Sequence, residues 1–265
     1  MANVYFDLTA AFNQHHPTAA LASGQAVVFY RIAIMSKDGD WVIRETADAC
    51  DRVRSILRAH GARYRLSAPL DVRWLRGGWS SHFEFFDDRR RRVRCDFVSR
   101  PPRVPPGMIE ATFAPPPAGQ PLVVDVESLI RMKQTQRAKD YAVIGPLAAL
   151  LPPQREIELT TDPDRLLALS AAIGPPKTRP GVAAAAARAD RRAMVIALAE
   201  EIDDQQQRDR RRVERYEAAA APFLDHCRSQ SLAELPIDEA HLRLIEAAER
   251  LLPQHPLERD DADAQ

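Results

Sequence analysis

A chain of 265 residues with 45% hydrophobic and 28% charged side chains has the length of one large domain or two ordinary ones and enough apolar material for a core, which excludes disorder throughout. Its zero net charge conceals a split: residues 1–150 carry 21 Lys and Arg against 15 Asp and Glu, and the rest carry 16 against 22, so only the first part would attract a polyanion. Three cysteines (Cys50, Cys95, Cys227) without a CxxC pair exclude a disulfide framework and a structural zinc site, and the lack of a long apolar run or a basic-then-apolar start points to a cytoplasmic protein with no membrane segment.

In chain order, the first expected element is a helix over 24–30, following the small-residue turn Ala22-Ser23-Gly24. A short strand is expected within 35–43. Thr46 to His60 places Ala49, Val53, Ile56 and Leu57 on one helical face, with Gly61 as its stop. Residues 70–75, 80–86 and 93–98 read as three strands joined by Arg76-Gly77-Gly78-Trp79 and Asp87-Asp88-Arg89-Arg90. Residues 123–125 offer a further strand, and 127–150 read mostly as helix. Pro-rich segments at 100–120 and 174–181 cannot be interior helix. The spacing then predicts helices over 162–172, 183–220 and 238–252. The expected fold class is α/β (α+β): a mixed, antiparallel-rich sheet domain over residues 1–152, then an α-helical domain over 153–265.

The stretch Lys37-Asp38-Gly39-Asp40-Trp41-Val42-Ile43 is the most informative. Two carboxylates two residues apart at the start of a strand point to one face, because strand side chains alternate. Their repulsion is relieved if they share a hard divalent cation, although Asp-Gly is also an ordinary turn dipeptide. Asp96 follows the same logic: Val93, Cys95 and Phe97 face the core, leaving Arg94 and Asp96 opposite. Three acids on neighbouring strands could hold two metal ions. On the expected helix after residue 127, Lys133, Arg137 and Asp140 share one face. The run Arg89-Arg90-Arg91-Arg92 reads either as a phosphate contact or as a solvated hairpin tip. The histidines show no metal-ligand spacing and read as surface or capped-core residues.

This order of small turn, helix, Asp-x-Asp on a strand, a later single Asp, and a helix bearing Leu129-Ile130, Lys133, Arg137 and Lys139-Asp140 resembles the nucleotidyltransferase fold of the polymerase-beta superfamily over roughly residues 18–150. It looks closest to the minimal and AbiEii-like members, many of which are toxins of toxin–antitoxin pairs. The resemblance implies that Ser23 and Gly24 hold an NTP, that Asp38, Asp40 and Asp96 bind Mg²⁺ or Mn²⁺, and that Lys133 and Asp140 line the nucleotide side, with Lys133 neutralising phosphate charge during catalysis. The implied reaction moves an NMP from the NTP to an acceptor hydroxyl, with RNA as one candidate acceptor and an antitoxin protein as the implied partner. The alternative is a decayed member that acts as a partner-binding module. The chain departs from the family at Ser23, where Gly is usual, at Gly39, where an apolar residue usually separates the acids, and at Ile34, where Arg is common.

Overall fold

The computed structural model describes residues 3–257. Five strands, β1 (Ala19–Ala22), β2 (Gly39–Ile43), β3 (Arg63–Tyr64), β4 (Ser81–Phe86) and β5 (Arg92–Val98), interleave with helices α1 (Val4–Phe12), α2 (Ser23–Phe29), α3 (Ala47–Ala59), α4 (Val72–Leu75) and α5 (Pro106–Ala111). The rest is helical: α6 (Val126–Lys133), α7 (Ala138–Tyr141), α8 (Ile144–Ala148), α9 (Pro153–Leu159), α10 (Pro163–Ile173), α11 (Pro180–Ala187), α12 (Arg191–Ser229) and α13 (Ile237–Leu251). The fold is thus mixed α/β with a helical C-terminal region.

The chain forms two compact units, and the boundary expected at residue 152 does not separate them. Of the described residues, the first takes those up to Val28, Ala33–Val124 and those from Glu214 to 257; the second takes Phe29–Ile32 and Asp125–Val213. The physical reason is α13. Its Ile237, Ala240, Leu244, Ala247 and Ala248, at helical spacing, are buried in the same core as α1, α3 and the sheet. Trp74 Nε1 and Trp79 Nε1 donate to the Leu252 and Pro253 carbonyls at 3.1 and 2.8 Å, so the C-terminal segment closes the first unit.

In the first unit the sheet order is β1-β2-β5-β4-β3, with β2 and β5 parallel and every other pair antiparallel. Alternation sends Trp41, Phe83, Cys95 and Phe97 inward, all fully buried, and leaves Asp40, His82, Arg94 and Asp96 on the outer face. Tyr64 reaches across this core: its hydroxyl lies 2.8 Å from His241 Nδ1 of α13 and accepts from Leu70 N at 3.2 Å.

Residues 72–75 form a helical turn rather than the expected strand, because the Asp71 carboxylate caps Arg73 N at 2.9 Å. Residues 123–125 contribute only one bridge, Val123 to Leu21. The single helix expected over 183–220 is two, since Ala189 takes φ +49 and Asp190 caps Arg192 and Ala193, starting α12 afresh. The second unit has its own core of Ile157, Leu166, Leu169, Val182, Ala185, Met194 and Leu198. No helix among the described residues is long and apolar enough to cross a membrane, and all three cysteines are buried free thiols.

Two tests follow. A Cβ on Gly39 would overlap the rings of Trp41 and Tyr5, so Gly39→Val should cost about 2 kcal/mol in urea denaturation, the usual scale of overpacking. Burial pushes His241 down to about 4. Between about pH 4 and the ordinary histidine value near 6.5, the unfolded chain binds a proton that the folded chain refuses. This contribution to stability is complete above that window and is lost as the pH falls through it. Melting temperature should therefore drop less on acidification in His241→Gln than in the parent.

Candidate active site

Asp38 stands just before β2, in a segment held from two sides. Tyr5 Oη donates to the Lys37 carbonyl at 2.5 Å, and Gln25 Nε2 donates to the Ser36 carbonyl at 2.9 Å while accepting from Asn3. Gly39 completes the seat: the Tyr5 and Trp41 rings occupy the space that an apolar side chain between the acids would take. An apolar side chain at position 39 is therefore sterically excluded.

The parallel pairing of β2 and β5 aligns Asp40 with Asp96 directly, and β4 aligns His82 with Asp96 on the other side. The outer face thus carries Asp40, Asp96 and His82 in one row. Burial is the main force raising the Asp96 carboxyl, to about 6; the charge of Asp38 adds to it, while Arg65 and Arg94 oppose it. Arg65 Nη1 lies 3.3 Å from Asp96 Oδ1, and Arg94 Nη1 lies 3.6 Å from Asp38 Oδ1. The donor set, all oxygen and mutually repelling, has the chemistry that a hard divalent cation takes. Among the described residues, no three carboxylate, His or Cys side chains stand close enough to hold an ion at once.

His82 is the group that sequence reasoning passed over. Its amide donates to Ser67 Oγ and its carbonyl accepts from Arg65 N, so its backbone bonds point away from β5 and its side chain approaches Asp96 closely. Burial, reinforced by Arg65, holds the imidazole down at about 4 and hence neutral, with Ser80 Oγ 2.9 Å from Nε2. Its position opposite an outward acid of the next strand was the available signal.

The turn expected to hold a triphosphate lies at the β1–α2 junction. Ser23 adopts φ +47, and a Cβ on Gly24 would overlap Ser36 Oγ, so both residues are fitted to a tight turn against the segment leading to Asp38. Ile34 is almost fully exposed. Beyond the far ends of β2 and β5 lies a cavity of about 470 Å³ lined by Ile43, Glu45, Ser99, Arg100 and Phe113. Glu45 is tied there by Arg100 and Ser99, and none of the three acids lines it.

Lys133 and Asp140 belong to the second unit. They do not share one helix, as their spacing led us to expect. α6 ends at Lys133, and the Thr135 hydroxyl, accepting from Arg137 N and bonded to Asp140 at 2.7 Å, organises a turn instead. The charges still converge: Lys133 Nζ is 3.5 Å and Arg137 Nε 2.7 Å from the Asp140 carboxylate, with Lys133 and Asp140 both buried. Burial alone would raise Asp140, but the Thr135 hydrogen bond and the charges of Lys133 and Arg137 hold it below the usual range.

Neither a protein-family model nor a curated protein matches the chain. Among solved structures, it is similar to a candidate nucleotidyltransferase from H. pylori, at 13% identity and a TM-score of 0.41, over 78% of this chain and 94% of that one. It is also similar to JHP933 from Helicobacter pylori, at 12% identity and the same TM-score, over 81% and 94%.

The burial of Lys133 makes it structural whatever else it does. Lys133→Ala should cost about 3 kcal/mol in chemical denaturation, the low end for breaking a buried pair, because Arg137 and Thr135 still hold Asp140. A variant as stable as the parent would contradict the pairing.

Proposed function

We propose that the chain is a metal-dependent nucleotidyltransferase that moves an NMP from an NTP to an acceptor hydroxyl. The observation that carries this reading is the register of β2 on β5, which sets Asp40 beside Asp96 on one face, with Asp38 near enough to raise the Asp96 carboxyl. In this reading Asp38 and Asp40 hold a divalent cation on the triphosphate side, and Asp96 helps hold a second on the acceptor side. Bound there, such ions lower the pKa of the acceptor hydroxyl and neutralise charge on the departing pyrophosphate.

The remaining work falls to the chain. The acceptor oxygen bonds to the α-phosphorus as the bond to pyrophosphate breaks, and its proton passes to the Asp96 carboxylate, which orients the hydroxyl by accepting its hydrogen bond. Ser23 and Gly24 seat the triphosphate in their turn. Arg94 and Arg65, which draw on Asp38 and Asp96, would be available to phosphate oxygens with cations bound to the acids. An RNA acceptor and a toxin's role opposed by an antitoxin belong to the same proposal.

A second reading is favoured by those same two arginines. If their ion pairs are permanent, the acids are a sealed charge cluster and the chain is a partner-binding module. The two readings separate in one experiment. Mg²⁺ or Mn²⁺ together with ATP, GTP, CTP or UTP should raise the melting temperature by mass action, and Asp38→Ala/Asp40→Ala should abolish the rise. Labelled NMP should pass to a total-RNA pool in the parent and not in the double variant. An equal thermal shift in both proteins would leave only the binding module.

A further inference from the structure

The β4–β5 hairpin carries a surface that the acids do not explain. Phe86 ends β4 with 65% of its area exposed, and Arg92 lies directly opposite it in the register. Asp87 builds the tip: its carboxylate accepts from the amides of Arg89 and Arg91 at 3.0 and 2.8 Å and pairs with the Arg91 guanidinium. Arg90 takes φ +57 to complete the turn. Arg91 is thereby neutralised, whereas Arg89, Arg90 and Arg92 stay exposed and make no ion pair among the described residues.

From the tip inward, the outer face presents Phe86 with Arg92, then Glu84 with Arg94, then His82 with Asp96. The Nε–H of Arg94 is buried and has no hydrogen-bond partner among the described residues. Four residues of one strand separate Arg92 from Asp96, about 13 Å at the rise of a β-strand. A flat exposed ring, three unpaired guanidiniums and a donor without an acceptor therefore line one track toward the acids.

We propose that this track docks a single-stranded nucleic acid, with a base stacked on Phe86, phosphates on Arg89, Arg90 and Arg92, and the strand running past Arg94 toward Asp96 and Asp40. Stacking on an exposed ring needs an unpaired base, and flanking arginines supply the sequence-independent backbone attraction. The proposal deepens the transferase reading and rests on it for the direction of the strand, but the docking itself requires neither metal nor NTP.

Fluorescence anisotropy of the full chain in EDTA, with labelled oligouridylate, its DNA counterpart and duplex RNA as probes, tests it. Both single strands should bind, and the duplex more weakly. Phe86→Ala should weaken single-strand binding roughly tenfold, the scale of one lost stacking contact, while Phe86→Trp retains it. Arg89→Ala/Arg90→Ala/Arg92→Ala should lower the slope of log affinity against log salt by about 2, as three lost phosphate contacts require. Affinity unchanged in both variants would overturn the proposal. So would equal binding of duplex without loss in Phe86→Ala, or retention on anionic phospholipid vesicles that the same variants abolish. All the hairpin variants should keep the rise in melting temperature with NTP and Mg²⁺. Failure of docking with that rise intact discards this surface alone, and loss of the rise in the parent discards the transferase reading alone.

Discussion

Trp41 and Phe97 stack across the parallel pair β2 and β5, rings 5.2 Å apart and 16° from parallel, and the outer face of the sheet inherits its geometry from that contact. Phe12 packs edge-on against both rings, Phe83 packs against Phe97, and Trp41 Nε1 donates to Thr9 Oγ1 at 2.9 Å. These partners leave the tryptophan one orientation. Because side chains alternate with a period of two, pairing Trp41 with Phe97 inside obliges Asp40 to pair with Asp96 outside. A slip of β2 by one residue against β5 would turn Asp40 inward and Trp41 outward, so the acids are placed by the core rather than by any attraction between themselves.

The electrostatics of the outer face follow from this enforced placement. Asp96 has a guanidinium at 3.3 Å, yet its carboxyl rises to about 6. Desolvation, with help from Asp38, outweighs the pull of Arg65 and Arg94 there. Asp140 shows the opposite balance in the second unit, where a hydroxyl and two cations outweigh burial. The first acid is left short of positive charge and the second is satisfied. This difference separates an acid that burial leaves prone to protonation from one that its counterions keep charged.

Much of this was legible in the sequence where side-chain period and local chemistry agreed. The amphipathic pattern of Thr46 to His60 became α3, capped by Thr46 on Ala49 N, and alternation correctly turned Asp96 outward and Cys95 inward. The failures have particular causes. β1 is four buried residues, three alanines and Leu21, with no β-branched or aromatic side chain among them, and only its neighbours in the sheet make it a strand. α1 passed unnoticed because its role, placing Tyr5 and Phe12 on Trp41, is a tertiary one. The break after Lys133 depends on the Thr135 hydroxyl competing for backbone groups, which spacing arguments do not weigh. His82 and Arg65 became visible at the acids only once β3 and β4 were ordered beside β5.

The return of the C-terminal segment to the first unit imposes an order on biosynthesis. The strands are all made by residue 98, but the helix that covers Tyr64 spans Ile237–Leu251, and the carbonyls that take the two tryptophan indoles, Leu252 and Pro253, follow it. At ribosomal rates of roughly ten residues per second, on the order of ten seconds or more pass between the two. During that interval the sheet is exposed on the side that α13 will cover, while the second unit, encoded in between, already has its whole core. The nascent chain thus carries its acids on an unfinished platform until α13 has been made.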